Sequence, residues 1–157
     1  MSLACSPEGD LLATGHKDGS LTLLDLSKLR VLHTLHDHAM PIRTLVFSAS
    51  KQLYAGCDDG SVSCHDCRTE SFALVDSLQG HTGFVTAVDI SADEKYLVSS
   101  SADKKVIVWS LKERETPQTM NCHNCIVWSV AFSPDGSKIV STGDDGSVQI
   151  YVRKETV

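Results

Sequence analysis

The sequence predicts an all-β fold built from tandem sheets, and three observations predict it. Tight turns recur: Lys17-Asp18-Gly19, Asp58-Asp59-Gly60, Ala102-Asp103-Lys104 and Asp144-Asp145-Gly146 place aspartates at 18, 59, 103 and 145, at intervals of 41, 44 and 42 residues. A second marker keeps the same period, since His38, His81 and His123 stand 43 and 42 residues apart, each just ahead of an apolar-polar alternation. No span carries a sustained apolar stripe of helical period, whereas short runs rich in Val, Ile, Leu, Thr and Ser abound. A fixed period of this length decides the architecture, because each repeat buries its apolar face only against its neighbours.

In chain order the repeat units fall at about 1–37, 38–80, 81–122 and 123–157, together one partial domain, with four strands expected in a complete unit. Unit one opens inside a first strand, Ser2-Leu3-Ala4-Cys5, with no histidine ahead of it. The cluster Ser6-Pro7-Glu8-Gly9 ends that strand, because Pro lacks an N–H donor and Gly accepts a positive φ. Unit two begins its alternation at Ile42-Arg43-Thr44-Leu45. Unit three has strands expected near Val85–Ser91, Tyr96–Ser101, Val106–Leu111 and Gln118–Asn121. Unit four starts at Val127-Trp128-Ser129-Val130, turns at Ser133-Pro134-Asp135-Gly136 and stops after a third strand, Ser147–Val152, before a fourth could form. Both ends are therefore expected to be cut within a unit and to leave apolar surface on the order of several hundred Å² open.

Composition narrows the function classes. Across 157 residues, 14 Lys+Arg stand against 20 Asp+Glu, a formal charge of −6 without any basic cluster. Such a surface repels a phosphate backbone, so direct nucleic-acid binding is not expected. The longest apolar stretches, such as Val106-Ile107-Val108-Trp109, fall far short of the roughly 20 residues of a membrane-spanning helix and the roughly 7–15 of a signal-peptide core. No membrane partner is expected. Six cysteines without a leader point to free thiols in a reducing compartment, the cytoplasm and/or the nucleus.

A histidine before the first strand, an aspartate turn between the second and third, and an aromatic closing the third resemble the WD40 repeat, a propeller blade of about 40–45 residues. The resemblance covers the whole chain. It implies an all-β WD40 β-propeller of about four four-stranded blades, the C-terminal portion of a seven-bladed ring. At unit three, Gly80-His81, Ser99, Asp103 and Trp109 match the family's structural tetrad. Asp accepts from imidazole, imidazole bonds the Ser hydroxyl, and the hydroxyl bonds the indole N–H, a relay that ties the outer loops of one blade together. Elsewhere the match thins: unit two has His38, Asp59 and His65 but Ala55 at the serine position, unit four has Tyr151 in place of Trp, and unit one has Thr14 and Asp18 but Leu24.

The stretches Val31–Arg43 and Gly136–Asp145 further resemble the C-terminal half of the superkiller-complex WD-repeat family. That resemblance implies a non-catalytic scaffold mediating protein–protein contacts. The resemblance implies membership of the assembly that feeds RNA to the cytoplasmic exosome and, in animals, also of the polymerase-associated factor complex in the nucleus. The implied partner is a short segment of a large helical-repeat subunit.

Two constellations invite other readings. Ser99, His81 and Asp103 have the residue types of a serine-hydrolase triad. The repeat, however, occupies that hydroxyl with the Trp109 indole, and no Gly-x-Ser-x-Gly elbow is present, so no enzyme activity is expected. Cys64-His65-Asp66-Cys67 and Cys122-His123-Asn124-Cys125 have the Cys-x-x-Cys spacing that grips zinc. One pair sits at a third strand and the other in a lead-in loop 55 residues on, so neither a metal nor any other cofactor is expected. A zinc-binding or hydrolytic centre on a propeller, and a direct RNA-binding module, are the alternatives. His65 in the Trp slot reads as a satisfied core residue rather than a ligand or pH sensor, and Lys112-Glu113-Arg114-Glu115 as a solvated loop.

The resemblance also implies where partners bind: at Pro41 and Arg43, Phe84 and Thr86, Ile126 and Trp128, with Lys17, Asp58, Ala102 and Asp144 just before the turn aspartates. Trp and Arg carry disproportionate interface energy. Trp128 and Arg43 lead the set, because both occupy the polar phase of strands whose apolar phase is Val127/Val130 and Ile42/Leu45. Phe84 and Ile126 also read as strand-start core residues.

Overall fold

The computed structural model describes residues 2–69, 71–112, 116–121 and 123–153. Among them are fifteen strands and no helix. Two compact units, Met1–Val85 and Thr86–Val157, are taken in turn.

In the first unit, β1 (Ser2–Cys5), β2 (Leu11–Gly15), β3 (Leu21–Asp25) and β4 (Arg30–Leu35) form one sheet in sequence order. The strands β5 (Ile42–Phe47), β6 (Gln52–Cys57), β7 (Ser61–Asp66) and β8 (Leu74–Gln79) form the next. Leu11, Ala13, Leu21 and Leu23 alternate inward from β2 and β3 and pack on Ile42, Leu45 and Phe47 of β5 and Leu53 and Ala55 of β6. Each such Leu or Ile contributes about 1.5–3 kcal/mol through burial.

The second unit holds β9 (Val85–Ile90, entered at Thr86), β10 (Tyr96–Ser101), β11 (Val106–Ser110) and β12 (Gln118–Met120), then β13 (Val127–Phe132), β14 (Lys138–Gly143) and β15 (Val148–Val152). Val98, Val106 and Val108 pack on Val127, Val130 and Ile139. The second strands β6 and β10 and the third strands β7 and β11 are buried along nearly their whole length, on both faces, while the fourth strands β4, β8 and β12 are largely exposed. The last sheet has three strands among the described residues, as its sequence led one to expect. The strands of unit three depart from their expected limits by one residue at three C-terminal ends. At Ser91 the reason is visible: its N–H leaves the ladder to close the turn on the Tyr96 carbonyl.

The turns explain the period. Ser6, Ser48, Ser91 and Ser133 each accept, at the side-chain oxygen, the N–H of the residue opening the second strand: Leu11, Gln52, Tyr96 and Lys138. The aspartate turns work likewise, with Ser20, Ser61 and Ser147 each donating both N–H and hydroxyl to Asp18, Asp59 and Asp145. Behind Asp59 stands Gly60 at φ +87°, where an added Cβ would lie 2.6 Å from the His81 carbonyl oxygen. Only glycine fits there, in conformation and in space. The corresponding residue in unit three is Lys104, which takes φ +73° without that freedom.

Leu3 on β1 is 70% exposed, and Val148, Ile150 and Val152 project together from one face of β15.

Candidate functional site

Repeats two and four each close the lead-in loop onto their own sheet with a polar clasp. Repeat four shows the arrangement in full. His123 Nε2 lies 2.8 Å from Ser141 Oγ, and His123 Nδ1 lies 3.2 Å from Asp145 Oδ2. The Tyr151 hydroxyl reaches Ser141 Oγ at 3.3 Å. Tyrosine thus supplies the donor that Trp109 supplies in repeat three, where its indole N–H donates to Ser99 Oγ at 2.8 Å. Asp145 is held well below the usual carboxylate range, first by the Ser147 hydroxyl and then by the Asn124 and Ser147 N–H groups.

Repeat two lacks a serine at Ala55 but not the hydroxyl. Ala55 pairs across the ladder with Ser63. Ser63 Oγ lies 2.8 Å from His38 Nε2 and 3.1 Å from His65 Nε2, so the bridging oxygen has moved one strand over. His65 fills the aromatic slot as a fully buried residue that bonds it. Repeat one keeps a local version: His16 Nε2 meets the cross-strand pair Thr14 and Thr22 at 3.0 and 3.2 Å. Asp18 there serves only its own turn, through Ser20. In repeat three, Ser99 is fully buried beneath Trp109, while Asp103 accepts the Lys105 N–H at 3.0 Å. His81 is buried in the first unit.

Arg43 and Trp128, the two leading surface residues, share a local cause. The β5–β6 register steps from Ile42↔Cys57 to Thr44↔Gly56, and the β13–β14 register from Val127↔Gly143 to Ser129↔Thr142. Each leading residue is the extra residue of a β-bulge, which turns its side chain out of the strand's alternation. The bulge is closed by the Asp58 N–H donating to the Pro41 carbonyl (3.0 Å) and by the Asp144 N–H donating to that of Ile126 (2.8 Å). The same aspartates hold the side chains. The Arg43 guanidinium forks onto Asp58, with NH2 to Oδ2 at 3.0 Å, and lies 4.3 Å above the Phe84 ring centroid. The Trp128 indole N–H donates to Asp144 Oδ1 at 3.4 Å, and 48% of the side chain's residue is open to solvent.

Pro41, Phe84 and Ile126 are half-buried. Thr86 is likewise half-buried, and its hydroxyl bonds Ser100 Oγ and the Val127 carbonyl. Asp58 and Asp144 were among the face positions expected from the sequence, but the bulges they close and the relocated hydroxyl were beyond sequence reasoning.

The Ser99 oxygen is committed to the Trp109 indole. Burial pushes the Cys64 thiol up to about 11 and the Cys67 thiol up to about 12. Of the second Cys-x-x-Cys pair, Cys122 lies outside the described residues, as do residues 113–115 of the charged run, and Cys125 is exposed.

The family profile described as "WD domain, G-beta repeat" matches residues 1–25, 29–66, 72–110 and 114–151. The last three matched segments run from the fourth strand of one sheet to the third of the next, so 29–66 takes in β4 through β7. WD repeat-containing protein SL1-17 of Schistosoma mansoni is 37% identical over 96% of this chain and 64% of its own length. Superkiller complex protein 8 of Dictyostelium discoideum is 35% identical over 60% of this chain and 31% of its own. A chain in the crystal structure of a mitotic checkpoint complex superposes with a TM-score of 0.89, at 24% identity, over 96% of this chain and 48% of that one. At that identity the likeness concerns the fold alone. The chain spans less than two thirds of the length of each.

Proposed function

The chain belongs to the WD40 repeat family, and on that premise we propose that it is a non-catalytic scaffold that holds protein partners through its bulged first-strand residues. WD40 repeats typically serve as interaction platforms. Trp128 carries the reading: a large aromatic, half open to solvent, is aimed outward by a bulge and steadied by Asp144. Arg43 repeats the device with a cation fixed between Asp58 and Phe84. Side chains already held in one geometry lose little entropy on binding, and Trp and Arg are the residues that dominate interface energies.

The finer assignment is to an RNA-decay assembly of the superkiller type, associated with the exosome, and/or a transcription-elongation complex. The Dictyostelium relative supports it, as do the segments Val31–Arg43 and Gly136–Asp145. The partner in this reading is a segment of a helical-repeat subunit, docking at Pro41, Arg43, Phe84, Thr86, Ile126 and Trp128, with no direct nucleic-acid contact. Cytoplasm and/or nucleus is the matching location, and the free thiols of Cys5, Cys57, Cys64, Cys67 and Cys125 suit it. His81, Ser99, Asp103 and Trp109 serve structure in this account rather than hydrolysis.

Affinity purification of the tagged chain from cells, with identification of the co-purifying subunits, tests the reading. Subunits of an RNA-decay or elongation assembly are expected, lost together in Trp128→Ala. Covalent labelling of Ser99 by a fluorophosphonate would overturn it.

A further inference from the structure

Besides the moved hydroxyl and His65 in the aromatic slot, repeat two differs from repeat four at one more place in its clasp, and that difference builds a cage of metal-ligand atoms. Where repeat four has Gly143, two residues before the turn aspartate, repeat two has Cys57, fully buried. Its thiol, one nitrogen of the His38 ring and a carboxylate oxygen of Asp59 all lie within 4.8 Å of one another, and Nδ1 is the ring nitrogen facing that carboxylate. The histidine and aspartate have drawn apart: Nδ1 to Oδ2 is 3.9 Å here and 3.2 Å at His123–Asp145. Asp59 Oδ1 is taken by Ser61, which leaves Oδ2 turned toward the cage.

The hydrogen-bond direction explains the gap. His65 Nδ1 is buried without a hydrogen-bond partner and faces the Asp37 carboxylate at 3.8 Å, which draws the proton of the neutral ring to that nitrogen rather than to Nε2. A proton on Nδ1 makes His65 Nε2 an acceptor for the Ser63 hydroxyl, and Ser63 Oγ in turn accepts from His38 Nε2–H. His38 Nδ1 is then a lone pair aimed at a carboxylate, which repels it. In repeat four the relay runs the other way, because Nδ1 at 3.2 Å from Asp145 must donate. A ligating histidine that passes its other N–H to a second-shell oxygen is the arrangement metal sites use.

We infer that His38 Nδ1, Cys57 Sγ and Asp59 Oδ2 form a binding site for a borderline divalent cation of the zinc class. A nitrogen, a thiolate and a carboxylate suit tetrahedral Zn²⁺ at about 2.0–2.3 Å from each donor, with water in the fourth position. Binding forms a metal–sulfur bond and releases the Cys57 thiol proton to solvent. The carboxylate is already ionised, the imidazole stays neutral, and no electron moves. The ion clamps the lead-in loop, through His38, onto the β6–β7 hairpin, through Cys57 and Asp59. It replaces the direct His–Asp bond of repeat four. The site is separate from the Cys64/Cys67 pair.

Cobalt titration of the whole chain, kept reduced with a phosphine, tests the site. One equivalent of Co²⁺ should bring tetrahedral visible bands with a sulfur-to-cobalt charge-transfer band, both displaced by Zn²⁺. Cys57→Ser and Cys57→Gly, the latter carrying the residue of repeat four, should each abolish the charge-transfer band, whereas Cys64→Ser and Cys67→Ser should leave it. On the unsubstituted protein, long-range ¹H–¹⁵N spectra should place the His38 proton on Nε2 and show Zn²⁺ shifting Nδ1. A chain that gives no charge-transfer band, a band that survives without Cys57, or a His38 Nδ1 indifferent to Zn²⁺ would each overturn the assignment.

Discussion

Single residues show how the repeats absorb departures from their own pattern. His65 stands where repeat three has Trp109 and is fully buried, so desolvation lowers its pKa, opposed by the Asp37 carboxylate. The folded-state value lies below the ordinary value of about 6.5, so the unfolded chain takes up that proton first as pH falls. The stabilisation is complete above about pH 6.5 and shrinks below it. Thermal melts with chelator present should show Tm falling from pH 7 to pH 5, and His65→Trp, which restores an indole donor, should flatten that dependence; equal slopes for the two proteins would contradict this. Lys104 is the opposite case, a residue held at φ +73° where repeats one, two and four place glycine. A left-handed conformation costs a side-chain-bearing residue about 1–2 kcal/mol, so Lys104→Gly should stabilise the chain by about 1 kcal/mol in urea unfolding. No gain in the unfolding midpoint would show that the turn is relaxed as it stands.

At the scale of elements, a clasp depends on which strand carries its oxygen. Ser63→Ala should cost about 1–3 kcal/mol, since it strands two imidazole nitrogens in the interior. Adding Ala55→Ser on the facing strand returns a hydroxyl to the place it holds as Ser99 and Ser141, and should recover much of that loss in a double-mutant cycle. Strict additivity of the two changes would mean that the hydroxyl does not bridge. The histidine, aspartate and aromatic markers were legible because each sits at a fixed distance along the chain. The role of Ser63 was not, because only the ladder register reveals that residues 55 and 63 face one another. The bulges at Arg43 and Trp128 were hidden for the same reason: alternation placed both on the polar phase, but a register shift is a property of paired strands. Cys57 escaped notice as a ligand because its partners lie 19 residues back and two ahead, a spacing that no linear motif describes.

Across the whole molecule the period decided most of what could be known in advance. All-β architecture, four sheets and a last sheet of three strands among the described residues followed from turn and histidine spacing together with the short β-rich runs and the lack of a helical apolar stripe. Function was legible only as a class, since fold does not fix partner identity. What the structure adds is a reason why two first-strand side chains point outward and stay put. The account therefore stands most directly on the affinity of a co-purified partner subunit for this chain, measured by calorimetry with Trp128→Ala and Arg43→Ala alongside melting curves. Trp128→Ala should weaken binding by about 2 kcal/mol, about thirtyfold, with Tm unchanged, and Arg43→Ala should weaken it as well. Affinity indifferent to both substitutions would contradict it.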